Sequence, residues 1–181
     1  MKKFLLLALF ATQIFAFSAN KFVNDARSQI GVTLSYDPSY ERLAYPMGDV
    51  DIKKGVCTDV VVRALRYQDM DLQRLIFEDM SKNFSVYPKK WGLKKADKNI
   101  DHRRVLNIAT YLKRKDFEVG DDKFLPGDIV TWTLPGNLPH IGVISDKFYA
   151  KTPLVIHNIG SGVQEENILY SYKITGHFRL K

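Results

Sequence analysis

Cys57 is the only cysteine of this chain, and it shares it with four histidines, His102, His140, His157 and His177. A thiol and an imidazole brought together make a nucleophile and its base. Cys57 follows Gly55 and Val56 where an apolar repeat begins, with Val60, Val61, Ala64 and Leu65 recurring at i, i+3 and i+4. That period places the sulfur at the start of a helix. Peptide N–H groups and the helix dipole favour thiolate there, which predicts a lowered thiol pKa. The alternative is a small core hydrophobe, a common role of an unpaired cysteine. Asp59 falls in the first turn, where a carboxylate suits the dipole.

His140 and His157 lie in two β-branched runs. A hairpin turn centred between Phe148 and Tyr149 sets them directly opposite on neighbouring strands, roughly 5 Å apart at Cβ. Gly142 and Val155 then share the histidine face, with Ile141 and Ile156 on the other. A slip of one residue brings Asn158 to the histidine face instead. Either His157 or Asn158 can hold a catalytic imidazole in its productive tautomer. His177, between Gly176 and Phe178, reads as structural.

The elements that position these residues change character along the chain. Helices are predicted from Ala19 to Ile30, from Cys57, from Leu72 to Phe84, and after Asp101 through Val105, Ile108, Ala109 and Leu112. Residues 32–56 carry Pro38, Pro46, Gly48 and Gly55 and read as an ordered loop. After Pro126 the period becomes two, with strands at Asp128–Leu134, His140–Ser145, Leu154–Ile159 and Ile174–Leu180. Helices followed by strands predict an α+β fold with a largely antiparallel sheet.

Lys2 and Lys3 precede an apolar run from Phe4 to Phe17 that ends in small residues. This is the pattern of a secretory signal peptide over residues 1–18, with cleavage expected after Ser18 and residues 19–181 forming one domain. The run is short for a membrane span, and no membrane anchor is expected after cleavage. Of 181 residues, 27 are Lys or Arg and 20 Asp or Glu, so loss of the leader lowers the formal charge from +7 to +5. A hydrophobic fraction of 45% excludes a disordered chain, and a single cysteine excludes a disulfide scaffold. Lys and Arg are dispersed along the chain and no recognition motif stands out, which argues against nucleic-acid binding. Neither His-x-His nor His-Glu-x-x-His spacing occurs, so no metal or other cofactor is expected.

The order Ala26-Arg27-Ser28-Gln29-Ile30-Gly31, Gly55-Val56-Cys57-Thr58-Asp59, Leu125-Pro126-Gly127-Asp128-Ile129-Val130, His140-Ile141-Gly142-Val143-Ile144 and Val155-Ile156-His157 resembles the NlpC-type papain-like cysteine peptidases. More closely, Tyr36-Asp37-Pro38, Gly48-Asp49-Val50, Asp71-Leu72-Gln73, Asp101-His102-Arg103-Arg104-Val105 and His157-Asn158-Ile159-Gly160 resemble the bacterial family called domain of unknown function 1287. The peptidases usually carry Asp-Cys-Ser-Gly at the nucleophile, where this chain has Val56-Cys57-Thr58-Asp59. The resemblance implies a papain-like fold with helices packed on an antiparallel sheet. It also implies an exported, periplasmic hydrolase cutting an amide in peptidoglycan stem peptides. In that scheme Cys57 attacks the carbonyl, His140 shuttles the proton and His157 orients His140. Tyr36, Asp59, Arg103 and Asn158 are candidates for oxyanion or substrate binding, with Tyr45 a further possibility. Adjacent Arg103 and Arg104 cannot share one helix face, so one is expected to enter the cleft toward a carboxylate. A monomer is expected. The non-enzymatic alternative is an inactive papain-like protein that binds cell wall or a protein partner.

Overall fold

The computed structural model describes residues 17–181; the leader expected over residues 1–18 lies outside them except for Phe17 and Ser18. Helix α1 spans Ala19–Arg27, capped by the Ser18 hydroxyl, which accepts from the Lys21 N–H at 3.3 Å, and buries Phe22, Val23 and Ala26. It ends earlier than the apolar spacing predicted, because residues 28–31 form turns that finish at Gly31 with φ 76°. Helix α2 spans Cys57–Arg66 and buries every residue from Cys57 to Leu65. Helix α3, Leu72–Lys82, starts at Asp71, whose carboxylate accepts from the Gln73 N–H. Helix α4, Val105–Arg114, follows a single 3₁₀ turn at Asp101–Arg103.

Two short strands, β1 (Ser35–Tyr36) and β2 (Lys54–Gly55), pair in parallel, with Tyr36 opposite Gly55. Both lie within the stretch 32–56 for which the sequence predicts a loop; two-residue strands carry no periodic signal. The main sheet holds β3 (Ile129–Leu134), β4 (Leu138–Tyr149), β5 (Thr152–Asn158), β6 (Val163–Glu166) and β7 (Lys173–Phe178). Their spatial order is β6-β5-β4-β3-β7 and every pair is antiparallel. The fold is therefore α+β, as expected.

Alternation along the strands divides the core into two layers. Ile129, Ile141, Val143, Ile156 and Phe178 pack with the apolar faces of the helices. Val130, Trp132, Ile144 and Val155 face the other way, onto Leu169 and the chain around it. His140 lies directly opposite Trp132 and so belongs to this second face.

The hairpin register differs from the one expected. Val143 pairs with Ile156 and Ile144 with Val155, and after a bulge Tyr149 pairs with Thr152. The turn falls at Ala150 and Lys151, Ala150 adopting φ 53°. His140 therefore does not sit squarely opposite His157. The offset is two residues, which leaves face assignments unchanged because the pleat repeats every two. Gly142 is the residue that lets the strands approach here. A Cβ at that position would lie 2.6 Å from Val155 Cγ1 and 3.2 Å from His157 Cβ.

His177 is structural, as read. Its Nε2 meets Asp128 Oδ2 at 2.7 Å, and Arg179 donates to both oxygens of the same carboxylate. Asp128 also accepts from the Leu125 N–H, closing the Pro-Gly-Asp turn into β3. No helix among the described residues is long and apolar enough to cross a membrane.

Candidate active site

The approach to Cys57 is fixed by a carboxylate three residues on. Asp59 Oδ2 accepts from the Val56 N–H at 2.7 Å, and the Asp59 N–H returns a bond to the Val56 carbonyl at 3.1 Å. The carboxylate supplies the N3 half of a capping box, while Val56, with no polar side chain, offers only its backbone. Gly55 gives the carboxylate room just upstream, since a Cβ there would press on Asp59 Oδ2 at 3.0 Å and Arg63 Nη1 at 3.2 Å. The sulfur emerges at the first residue of α2, buried among the core side chains yet lining a cleft of about 530 Å³. Tyr36, Tyr40, Trp91, Arg104, Leu138 and His140 line the same cleft.

Pairing between β4 and β5 stops at Val143, and beyond it the Ile141 N–H lies near enough to the Cys57 sulfur to favour its thiolate form. The start of α2 thus docks where the two strands part, which brings a helix-layer sulfur to the strand that carries His140. The Thr58 and Cys57 N–H groups also reach the sulfur, as a helix start should provide. They do not win. Burial pushes the thiol up to about 12, with Asp59 adding repulsion. The lowered pKa expected from the helix start is corrected here: desolvation exceeds the dipole when the sulfur is 3% exposed. The Tyr36 side chain lines the same cleft as the sulfur, and its hydroxyl is raised to about 12, first by burial and then by the neighbouring thiol.

The two imidazoles are joined. His140 Nε2 and His157 Nδ1 lie 3.0 Å apart, with the rings at 84°, and His157 Nε2 lies 3.1 Å from Glu166 Oε2. A carboxylate can only accept, which settles the protons in sequence. His157 Nε2–H donates to Glu166, leaving Nδ1 as acceptor. His140 Nε2–H donates to that lone pair, so Nδ1 of His140 is left unprotonated. Both rings are held neutral, His140 lowered to about 3 by burial and then by His157, and His157 lowered by burial against the pull of Glu166.

Glu166 was missed by sequence reasoning. It belongs to β6, a four-residue strand, and lies opposite Val155 so that its carboxylate reaches His157 diagonally. Extending the hairpin logic across the Gly160–Gly162 turn was the available signal.

The remaining candidates separate. Tyr36 is in the cleft. Asp59 is a helix-start and ion-pair residue outside the cleft lining, held by Arg103 Nε and Nη2 at 3.0 Å each. Arg103 also donates to the Ser39 and Asp37 carbonyls, so four of its five N–H groups are spent inside the chain. Although it borders the cleft, its carboxylate is Asp59, not a ligand's. Arg104 is the more available cation: one bond to Asp101 Oδ1 at 3.1 Å, with the guanidinium 4.3 Å over the Trp91 ring. Asn158 is not interchangeable with His157. It lies on the helix-facing side, fully buried, and donates to the Gly55 carbonyl at 3.1 Å and the Ser35 carbonyl at 3.3 Å. It clamps β1 and β2 to the sheet and so positions Tyr36 and Cys57. Tyr45 lies outside the cleft, edge-on to Phe77 at 5.3 Å.

Two consequences can be measured. Asn158→Ala removes a donor from the Ser35 carbonyl and one of the two that the Gly55 carbonyl receives, the other being the Asp37 N–H, and is expected to cost about 1–2 kcal/mol in urea unfolding; a change below a few tenths would show that the clamp is idle. The second concerns acid. His102 is lowered to about 4, first by burial, and joins His140 and His157 as imidazoles that bind protons less readily folded than unfolded. Their stabilising contribution is complete above the ordinary value of 6.5 and erodes as pH falls below it, His102 and His140 each costing about 1.4 kcal/mol one pH unit lower and His157 acting in the same direction. The melting temperature should decline steadily from pH 6.5 to pH 5.5, and a flat profile would contradict this protonation scheme.

Among the described residues no group of three or more His, Cys, Asp or Glu side chains is placed to hold a metal ion. A cysteine at a helix start and a histidine whose far nitrogen is held by a second imidazole thus line one cleft over an antiparallel sheet. The chain belongs to the family described as Domain of unknown function (DUF1287), which matches residues 23–180. It is similar to "Uncharacterized protein YijF" of Escherichia coli strain K12, 55% identical over 159 residues, covering 85% of this chain and 78% of that protein. Among solved structures it is similar to NlpC1 from Trichomonas vaginalis, at 15% identity and a TM-score of 0.49. That alignment takes in 90% of this chain, which spans 44% of the NlpC1 chain.

Proposed function

We propose that the protein is an exported cysteine peptidase or amidase that hydrolyses an amide bond in peptidoglycan stem peptides. The observation that carries this reading is the ordered proton chain from Glu166 through His157 to His140, which leaves a lone pair on His140 Nδ1 at the cleft shared with Cys57. With thiol and imidazole both neutral at rest, the proton moves as the bond forms. His140 Nδ1 takes it from Cys57 while Sγ attacks the carbonyl carbon. The oxyanion is received by the Cys57 N–H and the Tyr36 hydroxyl. The imidazolium is stabilised through His157 by the Glu166 carboxylate, then returns its proton to the leaving amine, and water releases the acyl group. Arg104, stacked on Trp91, takes over from Arg103 as the cleft cation for a stem-peptide carboxylate.

Digestion of purified muropeptides by the wild type and by Cys57→Ala, compared by mass, tests the proposal. New fragments with the wild type alone are expected; unchanged muropeptides in both would overturn it. The burial of Cys57 and its raised pKa favour one second reading, a wall-binding protein without catalysis. That reading predicts muropeptide binding by both proteins with no cleavage by either. Thiol-probe labelling does not separate the two, because a buried neutral thiol reacts slowly in each.

A further inference from the structure

Counted along the chain the cations are dispersed, but their excess over anions is not. Residues 82–98 hold six lysines and a single acidic residue, Asp97, a net of +5. That equals the charge of the whole chain without its leader; the remainder carries nineteen cations and nineteen anions. Lys82, Lys89, Lys90, Lys94, Lys95 and Lys98 are all exposed. The ion pairs of the described residues are made by other cations; these six enter none.

Four of the six lysines, Lys89, Lys94, Lys95 and Lys98, border one run of depressions. Lys89 Nζ stands 3.4 Å over the Phe84 ring. Phe84 and Phe77 line a depression of about 450 Å³ together with Lys94 and Lys95. A groove of about 600 Å³ runs on from it past Leu93 to Lys98, whose Nζ lies 5.3 Å over Tyr45. Apolar side chains stand out among the lysines, with Val86 53% and Trp91 37% exposed. Trp91 also lines the catalytic cleft, so the basic surface adjoins the cleft mouth.

We propose that residues 82–98 are a peripheral docking surface for an anionic phospholipid bilayer. Six unpaired lysines match phosphate headgroups, and Trp91, Val86 and Leu93 suit the interface beneath them, where indole rings and short apolar side chains partition. Nucleic acid fits less well, because Phe77 and Phe84 are half-buried under the lysines and offer no row of open rings for bases. Docking this way presents the cleft at the membrane surface. The inference does not depend on the hydrolase reading.

The test uses the full protein without its leader and two vesicle preparations, pure phosphatidylcholine and equal parts of phosphatidylglycerol and phosphatidylcholine. Co-sedimentation should show at least about 100-fold tighter binding to the anionic vesicles, weakening as salt is raised. Gln at Lys89, Lys90, Lys94, Lys95 and Lys98 together should remove most of that preference, with circular dichroism checking the fold. Should that variant misfold, the salt titration of the wild type decides alone. Tryptophan emission should shift to the blue on binding and not in Trp91→Phe, since the other tryptophan, Trp132, is fully buried. Equal partition onto both vesicles, salt-independent binding, or tight binding of a single-stranded oligonucleotide with none of vesicles would each overturn the proposal.

Discussion

His140→Ala is expected to lower kcat/KM for the stem-peptide amide by about 10³- to 10⁴-fold. The size follows from the resting protonation state. Cys57 is a neutral thiol raised to about 12, so almost no thiolate exists at neutral pH without a base at hand. In the proposed mechanism His140 Nδ1 is the base, the nitrogen that the Glu166 and His157 tautomers leave unprotonated. The loss should be graded along the chain of imidazoles. His157→Ala should cost about 10²-fold and Glu166→Gln about 10-fold, because each acts through the orientation and basicity of its neighbour. His140→Ala also leaves His157 Nδ1 without its donor, so a stability loss of about 1–3 kcal/mol accompanies it. Melting curves distinguish that loss from the kinetic one: folded protein with activity near wild type would sink the assignment of His140 as base.

Arg103→Met is expected to destabilise the fold by about 3–5 kcal/mol, measured by urea unfolding at pH 7. Asp59 is 3% exposed and Arg103 7%, and their contact is two-pronged. Removing the guanidinium leaves a carboxylate in the interior with only the Val56 N–H to answer it, and frees the Asp37 and Ser39 carbonyls. The segment that carries Tyr36 should loosen with them. The partner change clarifies the cause. Asp59→Asn combined with Arg103→Met removes the stranded charge and should recover part of the loss, giving a coupling of a few kcal/mol in the double-mutant cycle. A single-variant loss under about 1 kcal/mol would mean that water reaches the pair.

The elements that the sequence announced strongly were those with long periodic runs. Cys57 at a helix start followed from the spacing of Val60, Val61, Ala64 and Leu65, and both histidine strands followed from their β-branched content. The shared face of His140 and His157 also survived, because an offset of two residues preserves the pleat even though the turn lay two positions further on than expected. Short elements left no such trace. β1, β2 and β6 hold two, two and four residues, and with them went the clamp by Asn158 and the carboxylate of Glu166.

Chain order alone determined which side chains were available for chemistry, and local periodicity determined the helix and strand on which the thiol and the imidazoles ride. Which carboxylate answers which cation was decided only by packing: Arg103 turned inward to Asp59 while Arg104 kept to the cleft. The ionisation of Cys57 was decided there as well. A helix dipole is a local property, readable from position, whereas desolvation depends on every group that excludes water from the sulfur, and those groups arrive from segments as distant as Tyr36 and Ile141.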